Sequence, residues 1–408
     1  MSRTPQKPAD LTHPAPPITG WHSENHWPAP ETVVVADDRM TADAAYRLAK
    51  SGTGMLWAGD FQNARQLLGA LARRIDHIDT ARRRTHPPRR GPAALFERTR
   101  ADAHERARLL GLVLIPLDAD YTIALRRAPD ARAACLETYG PAGRTATVTS
   151  LRELLGVMGA HEWRVRGVDV PALGGSIHAH YGVFSPVRGE YLDLVLAAPL
   201  PASAATTATG TTATGTTNAA ADASRTAFDI GTGTGVIAAI LAGRGFDRVI
   251  GTDTAPRALA CARENVARLG LTKTVTIEDT DLFPSGLADL IVCNPPWIPG
   301  AAVTATDHAV YDPDGQMLQG FLSGLAGHLT PGGEGWLVLS DIAEHLGLRS
   351  RDALLDQFDD AGLEVVARLD TKPVHRKAAD ADDPLHAARA AEVTSLWRLR
   401  AGSAPERP

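Results

Sequence analysis

One short stretch combines residue types that could act on a planar amino group. Residues 290–293 are all apolar, and Asn294, Pro295, Pro296 and Trp297 follow at once. An unbroken apolar run predicts a strand buried on both faces, and two prolines end it because neither can donate to a sheet ladder. Asn294 is therefore expected at the carboxyl end of a buried strand, which is where open α/β sheets bind ligands.

The chemistry that suits this stretch is activation of a conjugated NH2 group. Such a nitrogen, on adenine, guanine or an amide, is a poor nucleophile because its lone pair is delocalised. The Asn294 side-chain oxygen and the Pro295 carbonyl could accept its two N–H bonds, while Trp297 stacks on the planar group. The prolines would hold the acceptors in place, which is electrostatic preorganisation. The alternative interpretation is a strand and a Pro-rich turn with no chemistry.

The stretch resembles the Asn-Pro-Pro-aromatic motif of the small-domain methyltransferases, which are class I enzymes that use S-adenosylmethionine to methylate amino groups. That group includes adenine-N6, guanine-N2 and glutamine-N5 enzymes. The resemblance implies that Asn294, Pro295, Pro296 and Trp297 are the catalytic residues and that Asn294 also borders the cofactor. Trp297 departs from the pattern, in which Tyr or Phe is commoner.

A glycine-rich turn upstream supplies a candidate cofactor site. Residues 226–230 predict a short strand, which runs into Gly231, Gly233 and Gly235 and then a helix. Glycines allow a tight turn and a close approach of the ligand. A second strand ends at Asp253, about 20 residues further on, where a carboxylate can hold ribose hydroxyls. A glycine turn of this kind also fits nicotinamide or flavin enzymes, but a dehydrogenase leaves the Asn294 stretch unexplained.

The methyltransferase resemblance extends to four further positions that would bind S-adenosylmethionine. It places Asp229 at the head of the glycine turn, Asp253 on the ribose and Asp281 near the adenine amino group. Phe184, in a Val-Phe-x-Pro-type segment, would lie over the methionine part of the cofactor. No metal is expected.

The alternation of strands and helices predicts the α/β class. We expect a Rossmann-like methyltransferase sheet whose last strand, at 394–400, is antiparallel, together with an N-terminal α/β module. The expected segments are a disordered tail at 1–30, an accessory substrate-recognition domain at 31–160, a methyltransferase domain at 161–408 and a disordered low-complexity insertion at 202–224. Within the accessory domain, residues 112–117 and 121–126 are both expected to be strands.

Composition narrows the class of protein. Hydrophobic residues make up 44% and charged residues 22% of the chain, as in an ordinary globular protein. Three cysteines without CxxC spacing favour a reducing compartment and no zinc site. Residues 1–30 lack the apolar segment of a signal peptide, and no run approaches the roughly 18 apolar residues of a membrane span. The expected location is the cytoplasm.

The choice of substrate rests on three observations: a basic segment, an N-terminal α/β module that offers a long RNA a second surface, and Trp297 as a platform for a base that leaves its stack. Residues 65–108 contain twelve arginines against five acidic residues, which is either a phosphate-binding patch or a solvated loop, although the net charge of the chain is -5. The preferred prediction is methylation of a base in RNA (rRNA or tRNA), at guanine N2 or adenine N6. The alternatives are methylation of a protein glutamine N5, in a release factor or ribosomal protein, and a catalytically silent module that binds RNA or a partner.

Overall fold

The computed structural model describes residues 13–15, 18, 20–85, 91–186, 189–204, 224–300, 310–373, 380 and 383–402. The chain divides into two compact units, residues 1–162 and 163–408. Each unit is described by itself.

The first unit is built on a six-stranded sheet. Its strands are β1 (His13–Pro14), β2 (Trp21–His22), β3 (Val33–Ala36), β4 (Gly54–Trp57), β5 (Val113–Leu117) and β6 (Thr147–Ser150). Its helices are α1 (Ala42–Lys50), α2 (Phe61–Thr85), α3 (Pro92–Leu110), α4 (Arg132–Tyr139) and α5 (Leu151–Arg166). The strand order is β1-β3-β4-β5-β6-β2, and the three central strands β3, β4 and β5 are parallel. Helical crossovers join them, and β4 and β5 are largely buried, whereas Val33, Val34 and Val35 of β3 are partly exposed.

Part of the expected disordered tail is ordered in the structure. Strand β2 pairs with β6, and the carboxylate of Glu153 accepts hydrogen bonds from the Glu24 backbone N–H over 3.0 Å and from the Asn25 side chain over 3.2 Å. The Trp21 indole also donates to the Trp27 carbonyl. A partner about 130 residues away therefore orders a segment whose own composition is polar and Pro-rich.

The expectation of a strand at 121–126 is wrong. These residues belong to a loop after β5, with left-handed backbone at Tyr121 (φ 67°) and at Arg127 (φ 56°). The carboxylate of Asp60 is buried and accepts hydrogen bonds from the Nε atoms of Arg126 and Arg127 over 2.9 and 2.6 Å. These charge-assisted bonds fix the loop in place of a sheet ladder.

The second unit contains a seven-stranded sheet with helices packed on it. The strands of this unit are β7 (Val168–Val170), β8 (Gly175–Ile177), β9 (Thr226–Ile230), β10 (Arg248–Asp253), β11 (Val275–Asp279), β12 (Ala288–Cys293), β13 (Ile298–Pro299), β14 (Tyr311–Asp312), β15 (Leu329–Ser340), β16 (Leu363–Thr371) and β17 (Thr394–Ala401). The helices are α6 (Glu190–Ala197), α7 (Val236–Gly243), α8 (Pro256–Arg268), α9 (Gln316–His328), α10 (Ile342–His345), α11 (Arg351–Asp360) and α12 (His386–Ala391).

The strand order of the large sheet is β11-β10-β9-β12-β15-β17-β16. Strands β9, β10, β11, β12 and β15 are parallel, and β17 is antiparallel to both of its neighbours. From β9 the chain adds β10 and β11 on one side, and it then returns to add β12 and β15 on the other side. The boundary between β9 and β12 is therefore a topological switch point, where ligands bind. This arrangement confirms the predicted α/β class and the Rossmann-like methyltransferase sheet with its antiparallel last strand.

Some expectations fall outside the described residues. Most of the expected low-complexity insertion at 202–224 lies outside the described residues, because 205–223 are not described. Residues 1–12 of the expected tail also lie outside them. Among the residues that are described, no helix is both long and apolar enough to cross a membrane. In that same part of the chain, no group of three or more His, Cys, Asp or Glu side chains could hold a metal ion.

Candidate functional site

The register of the sheet places three predicted site residues side by side. The last paired residues of β12, β9 and β10 lie opposite one another. Each is followed at once by one candidate: Asn294 after β12, Gly231 after β9, and Asp253 at the end of β10. Because the carboxyl ends of parallel strands meet at one edge, these residues border a single cleft at the switch point.

The glycine turn adopts a backbone that only glycine accommodates easily. Gly231, Gly233 and Gly235 have φ values of 70°, 54° and 80°. A Cβ atom on Gly231 would collide with the terminal methyl group of Met317 on α9, whereas around Gly233 only a backbone atom of the turn itself lies near. Open space above this turn fits a ligand that approaches the backbone closely.

Asp229 holds the glycine turn in its shape through buried hydrogen bonds. Its side chain is buried, and its Oδ2 atom accepts hydrogen bonds from the Thr232 hydroxyl over 2.6 Å and from the Ala238 backbone N–H over 2.9 Å. Burial raises the pKa of this carboxyl to about 7, although both hydrogen bonds act in the opposite direction. The buried carboxylate therefore ties the glycine turn to the first turn of α7.

Asp253 is held in a position that suits ribose hydroxyls. Its Oδ2 atom accepts from the Gly233 backbone N–H over 3.1 Å, and its Oδ1 atom accepts from the Ala255 N–H over 2.9 Å. Each carboxylate oxygen can accept a further hydrogen bond, and the residue is partly exposed. The glycine turn and Asp253 together fit a nucleoside cofactor at this edge.

Asp281 lies in the turn after β11. The neighbouring Leu282 has left-handed backbone (φ 58°), and its carbonyl accepts a hydrogen bond from the Thr252 hydroxyl over 2.6 Å. The Thr280 N–H donates to the Asp253 carbonyl over 3.3 Å. These bonds place the exposed Asp281 beside the end of β10.

Phe184 follows a segment anchored on α8. The His178 N–H donates to the Asn265 side chain over 2.9 Å, and His180 pairs with Glu264 over 2.8 Å. Asn265 is itself buried and donates to the Thr234 carbonyl of the glycine turn over 3.0 Å. The Phe184 side chain is 38% exposed, which leaves a large apolar group available to a ligand.

The Asn294 stretch is rigid and internally hydrogen-bonded. The Trp297 indole N–H donates to the Asn294 side-chain oxygen over 2.9 Å, and Pro295 is buried. Trp297 packs against both apolar clusters of the unit, one on each face of the sheet. Strand β13 begins directly after it and pairs with β14, whose Asp312 accepts from the first N–H groups of α9. The acceptors and the aromatic group are thus fixed from both sides.

Several contributors could not be found by sequence reasoning. Leu282, Asn265 and Met317 shape the cleft through bonds or contacts between distant segments, and Thr232 shapes it through its bond to Asp229 three residues away. Each is a common residue type in an ordinary position, so no sequence pattern marks it. Only the packed structure identifies them.

Comparison with known proteins agrees with this geometry. Residues 207–366 match the family model described as the methyltransferase small domain. The release factor glutamine methyltransferase of Cereibacter sphaeroides is 34% identical over 173 residues, which cover 37% of this chain and 62% of that protein. The enzyme of the same name from Moorella thermoacetica is 41% identical over 124 residues, 27% of this chain and 44% of that protein.

A third curated relative matches a shorter stretch of the chain. A putative protein N5-glutamine methyltransferase of Methanocaldococcus jannaschii is 35% identical over 78 residues, covering 19% of this chain and 39% of that protein. The chain therefore spans less than two thirds of the length of each of these curated relatives.

Solved methyltransferase structures are also similar at low scores. The ribosomal protein L11 methylase of Lactobacillus delbrueckii has a TM-score of 0.30 and 19% identity, over 44% of this chain and 70% of that chain. An S-adenosylmethionine-dependent methyltransferase of Clostridium acetobutylicum has a TM-score of 0.32 and 12% identity, over 44% and 85%.

The strand order, the glycine turn, the Asn-Pro-Pro-Trp stretch and the family match all fall on the second unit. The likeness to the curated relatives agrees with the match. The chain therefore carries, over residues 207–366, a match to the methyltransferase small domain, within a unit that has the fold of a class I methyltransferase and uses S-adenosylmethionine as its cofactor.

Proposed function

We propose that the protein transfers a methyl group from S-adenosylmethionine to the side-chain nitrogen of a glutamine in a protein substrate. The observation that carries this proposal is the fixed pair of acceptors, Asn294 and Pro295, at the carboxyl edge beside the glycine turn. The relatives named above supply the choice of target, because their names specify glutamine or release factor glutamine.

The proposed cofactor contacts follow from the geometry of the cleft. The backbone of Gly231 and Gly233 approaches the cofactor, the Asp253 carboxylate accepts from the ribose hydroxyls, and Asp281 borders the adenine. Phe184 covers the methionine part. Asp229 and Gly235 act through the shape of the turn, since Asp229 is buried and Gly235 packs closely against Ala262 of α8.

The proposed chemistry begins with the orientation of the target amide. S-adenosylmethionine, when bound, would supply an electrophilic methyl group: as the nitrogen–methyl bond forms, the methyl–sulfur bond breaks, S-adenosylhomocysteine leaves, and the amide nitrogen gives up one of its two protons to water. The Asn294 oxygen and the Pro295 carbonyl accept the two N–H bonds of the glutamine amide, which withdraws the nitrogen lone pair from conjugation and directs it at that methyl group. Trp297 and Pro296 confine the planar amide. Fixed acceptors of this kind cost no reorganisation at the moment of reaction.

The RNA interpretation has less support than the glutamine interpretation. It depends in part on the basic segment, and in the structure several of those arginines form ion pairs within the first unit. Arg82 and Arg83 pair with the buried carboxylate of Asp102, and Arg106 pairs with Asp76 over 2.7 Å. Arginines that join α2 to α3 through ion pairs have fewer donors left for phosphates. The accessory role of residues 31–160 stays a prediction.

The test is transfer of a labelled methyl group. Purified protein and radiolabelled S-adenosylmethionine are added to lysate of the source organism lacking this gene, and the product is treated with nuclease or with protease. We expect label that survives nuclease, disappears with protease and maps to a glutamine side chain. Label lost with nuclease would move the target to RNA, and the absence of any transfer would favour the silent binding module.

A further inference from the structure

Arg349 lies at the same edge of the sheet as Asn294. Strand β15 neighbours β12 and leads directly into α10, which packs beside β13, the strand that continues the Asn294 stretch. Helix α10 ends in a turn with left-handed Gly347 (φ 69°), and the Arg349 N–H donates to the Ala343 carbonyl over 3.3 Å. The backbone of Arg349 is therefore fixed next to the target side of the cleft.

The Arg349 guanidinium has two buried donors for which the described residues provide no hydrogen-bond partner. Within the described part of the chain, its Nε and Nη2 atoms are buried and make no hydrogen bond. Burial lowers the pKa of this group, while the nearby carboxylates of Glu344 and Asp312 raise it. Both carboxylates are engaged elsewhere, Glu344 with Arg351 over 2.8 Å and Asp312 with the first N–H groups of α9.

The Nε and Nη2 atoms form the edge of the guanidinium through which other arginines of this chain bind carboxylates. Arg398 donates from Nε and Nη2 to the two oxygens of Glu334, both over 2.7 Å. Arg106 binds Asp76 through the same two atoms. Parallel N–H bonds from one guanidinium edge match the spacing of carboxylate oxygens. The edge of Arg349 is therefore of the right shape and charge for a carboxylate.

A second group nearby has the same property. Helix α12 packs against α10, and the Nδ1 atom of its first residue, His386, is also buried without a hydrogen-bond partner among the described residues. Buried polar atoms usually find a partner, because leaving one unpaired costs the full free energy of its desolvation. Arg349 lies in the turn after α10, and His386 begins α12, the helix packed against α10. Two unpaired groups in this part of the described structure indicate a place where a ligand completes the bonding.

We propose that Arg349 binds a carboxylate of the protein substrate close to the target glutamine, with His386 beside it. The proposal rests on the proposed function and adds a charge requirement to it: an acidic side chain near the methylated glutamine. Arg349 would then select the substrate and position it, while Asn294 and Pro295 act on the amide.

The first test compares Arg349→Met and Arg349→Lys with wild type, using a release factor of the source organism as substrate. Loss of a charge-assisted bond should raise KM for that substrate about 10- to 100-fold, with kcat much less affected. Arg349→Lys should recover part of the lost substrate affinity, because lysine keeps the positive charge but not the pair of parallel N–H donors. Affinity for S-adenosylhomocysteine should not change. Arg400→Met is the control, since Arg400 pairs with Glu364 at the opposite edge of the sheet and should leave KM unchanged.

Unchanged KM in Arg349→Met, with methylation intact in the wild type, would overturn this proposal alone. Weaker binding of S-adenosylhomocysteine would overturn it too, because Arg349 would then belong to the cofactor site. Failure of the wild-type protein to methylate any glutamine would instead refute the proposed function.

The second test needs no substrate. If the buried edge of Arg349 lacks a partner in the free protein, Arg349→Met removes a desolvation cost, and the melting temperature should rise by about 2 to 4 °C. If Arg349 instead holds the fold together, the melting temperature should fall by several degrees, which would overturn the proposal whatever the substrate is. The Arg400→Met control should melt within about 1 °C of wild type.

Discussion

The Trp297 indole donates its N–H to the side-chain oxygen of Asn294 over 2.9 Å. An indole N–H can only donate, so the amide atom that it meets must be the oxygen, and the orientation of the Asn294 amide follows. That oxygen has a second lone pair, which can accept from the substrate. A phenylalanine at this position would stack on the target but could not hold the amide in this orientation.

Replacing Trp297 by Phe tests that orientation. Loss of one neutral hydrogen bond should lower kcat about 2- to 10-fold, because the Asn294 amide gains rotational freedom. Affinity for S-adenosylhomocysteine should not change, and the measurement is steady-state kinetics with titration calorimetry. Trp163→Phe is the matched control, since Trp163 is 51% exposed and outside the cleft. A kcat equal to wild type in Trp297→Phe would show that the hydrogen bond has no part in turnover.

Asp253 is expected to dominate the affinity for the cofactor. Asp253→Ala removes two proposed bonds to ribose hydroxyls and releases the Gly233 and Ala255 N–H groups that the carboxylate now holds. Bonds to a charged acceptor contribute about 1.5–3 kcal/mol each, so the dissociation constant for S-adenosylhomocysteine should rise at least 10-fold. Titration calorimetry measures it, and an unchanged constant would remove Asp253 from the cofactor site.

Asp229 should make stability depend on pH near neutrality. Its folded pKa, about 7, lies above that of an unfolded aspartate, so the folded protein binds more protons between these two values. The contribution of this group is present at pH 4 and is lost as the pH rises through about 7, with each unit of pKa difference corresponding to about 1.4 kcal/mol.

Asp229→Asn should flatten that part of the profile. The free energy of unfolding by urea, measured at pH 5, 6, 7 and 8, should fall with pH in wild type and fall less steeply in the variant. Asp356→Asn, on the exposed face of α11, should keep the wild-type slope. Identical slopes in wild type and Asp229→Asn would contradict the raised pKa.

Arg82 and Arg83 of the basic segment should stabilise the packing of α2 against α3. Arg82→Glu with Arg83→Glu leaves the Asp102 carboxylate, which is 6% exposed, beside two like charges. Leaving a buried acceptor without its donors typically costs about 1–3 kcal/mol, and more when the group is charged. Arg84→Glu, at an exposed position, should change the free energy of unfolding by no more than about 0.5 kcal/mol. Urea unfolding of the two variants compares them, and equal stability would return these arginines to the list of candidate phosphate contacts.

The sheet and its edge could be predicted from sequence because local signals agree there. Apolar runs end at Asn294 and Asp253, and the glycines between 231 and 235 meet a turn that requires left-handed backbone. What could not be predicted depends on contacts between distant segments. Glu153 holds Ser23, Glu24 and Asn25 in place, and Asp60 holds Arg126 and Arg127 in a loop whose sequence predicts a strand.

The role of the basic segment could not be predicted from sequence for the same reason. A count of arginines describes the composition of 65–108, but the pairing of Arg82 and Arg83 with Asp102 depends on how α2 packs against α3. In the same way, the hydrogen bond between Trp297 and Asn294 depends on the backbone of the two prolines between them. Sequence identifies such residues as candidates, and packing decides what they do.

The most direct test of the account is methylation by Asn294→Ala of the glutamine protein that the wild-type enzyme modifies. Losing one preorganised acceptor should lower kcat about 100- to 1000-fold. Affinity for S-adenosylhomocysteine, measured on the same preparation, should stay within about twofold of wild type, because Asn294 acts chiefly on the target. Near-normal turnover in Asn294→Ala, with the cofactor bound as in wild type, would contradict the amide-orienting mechanism.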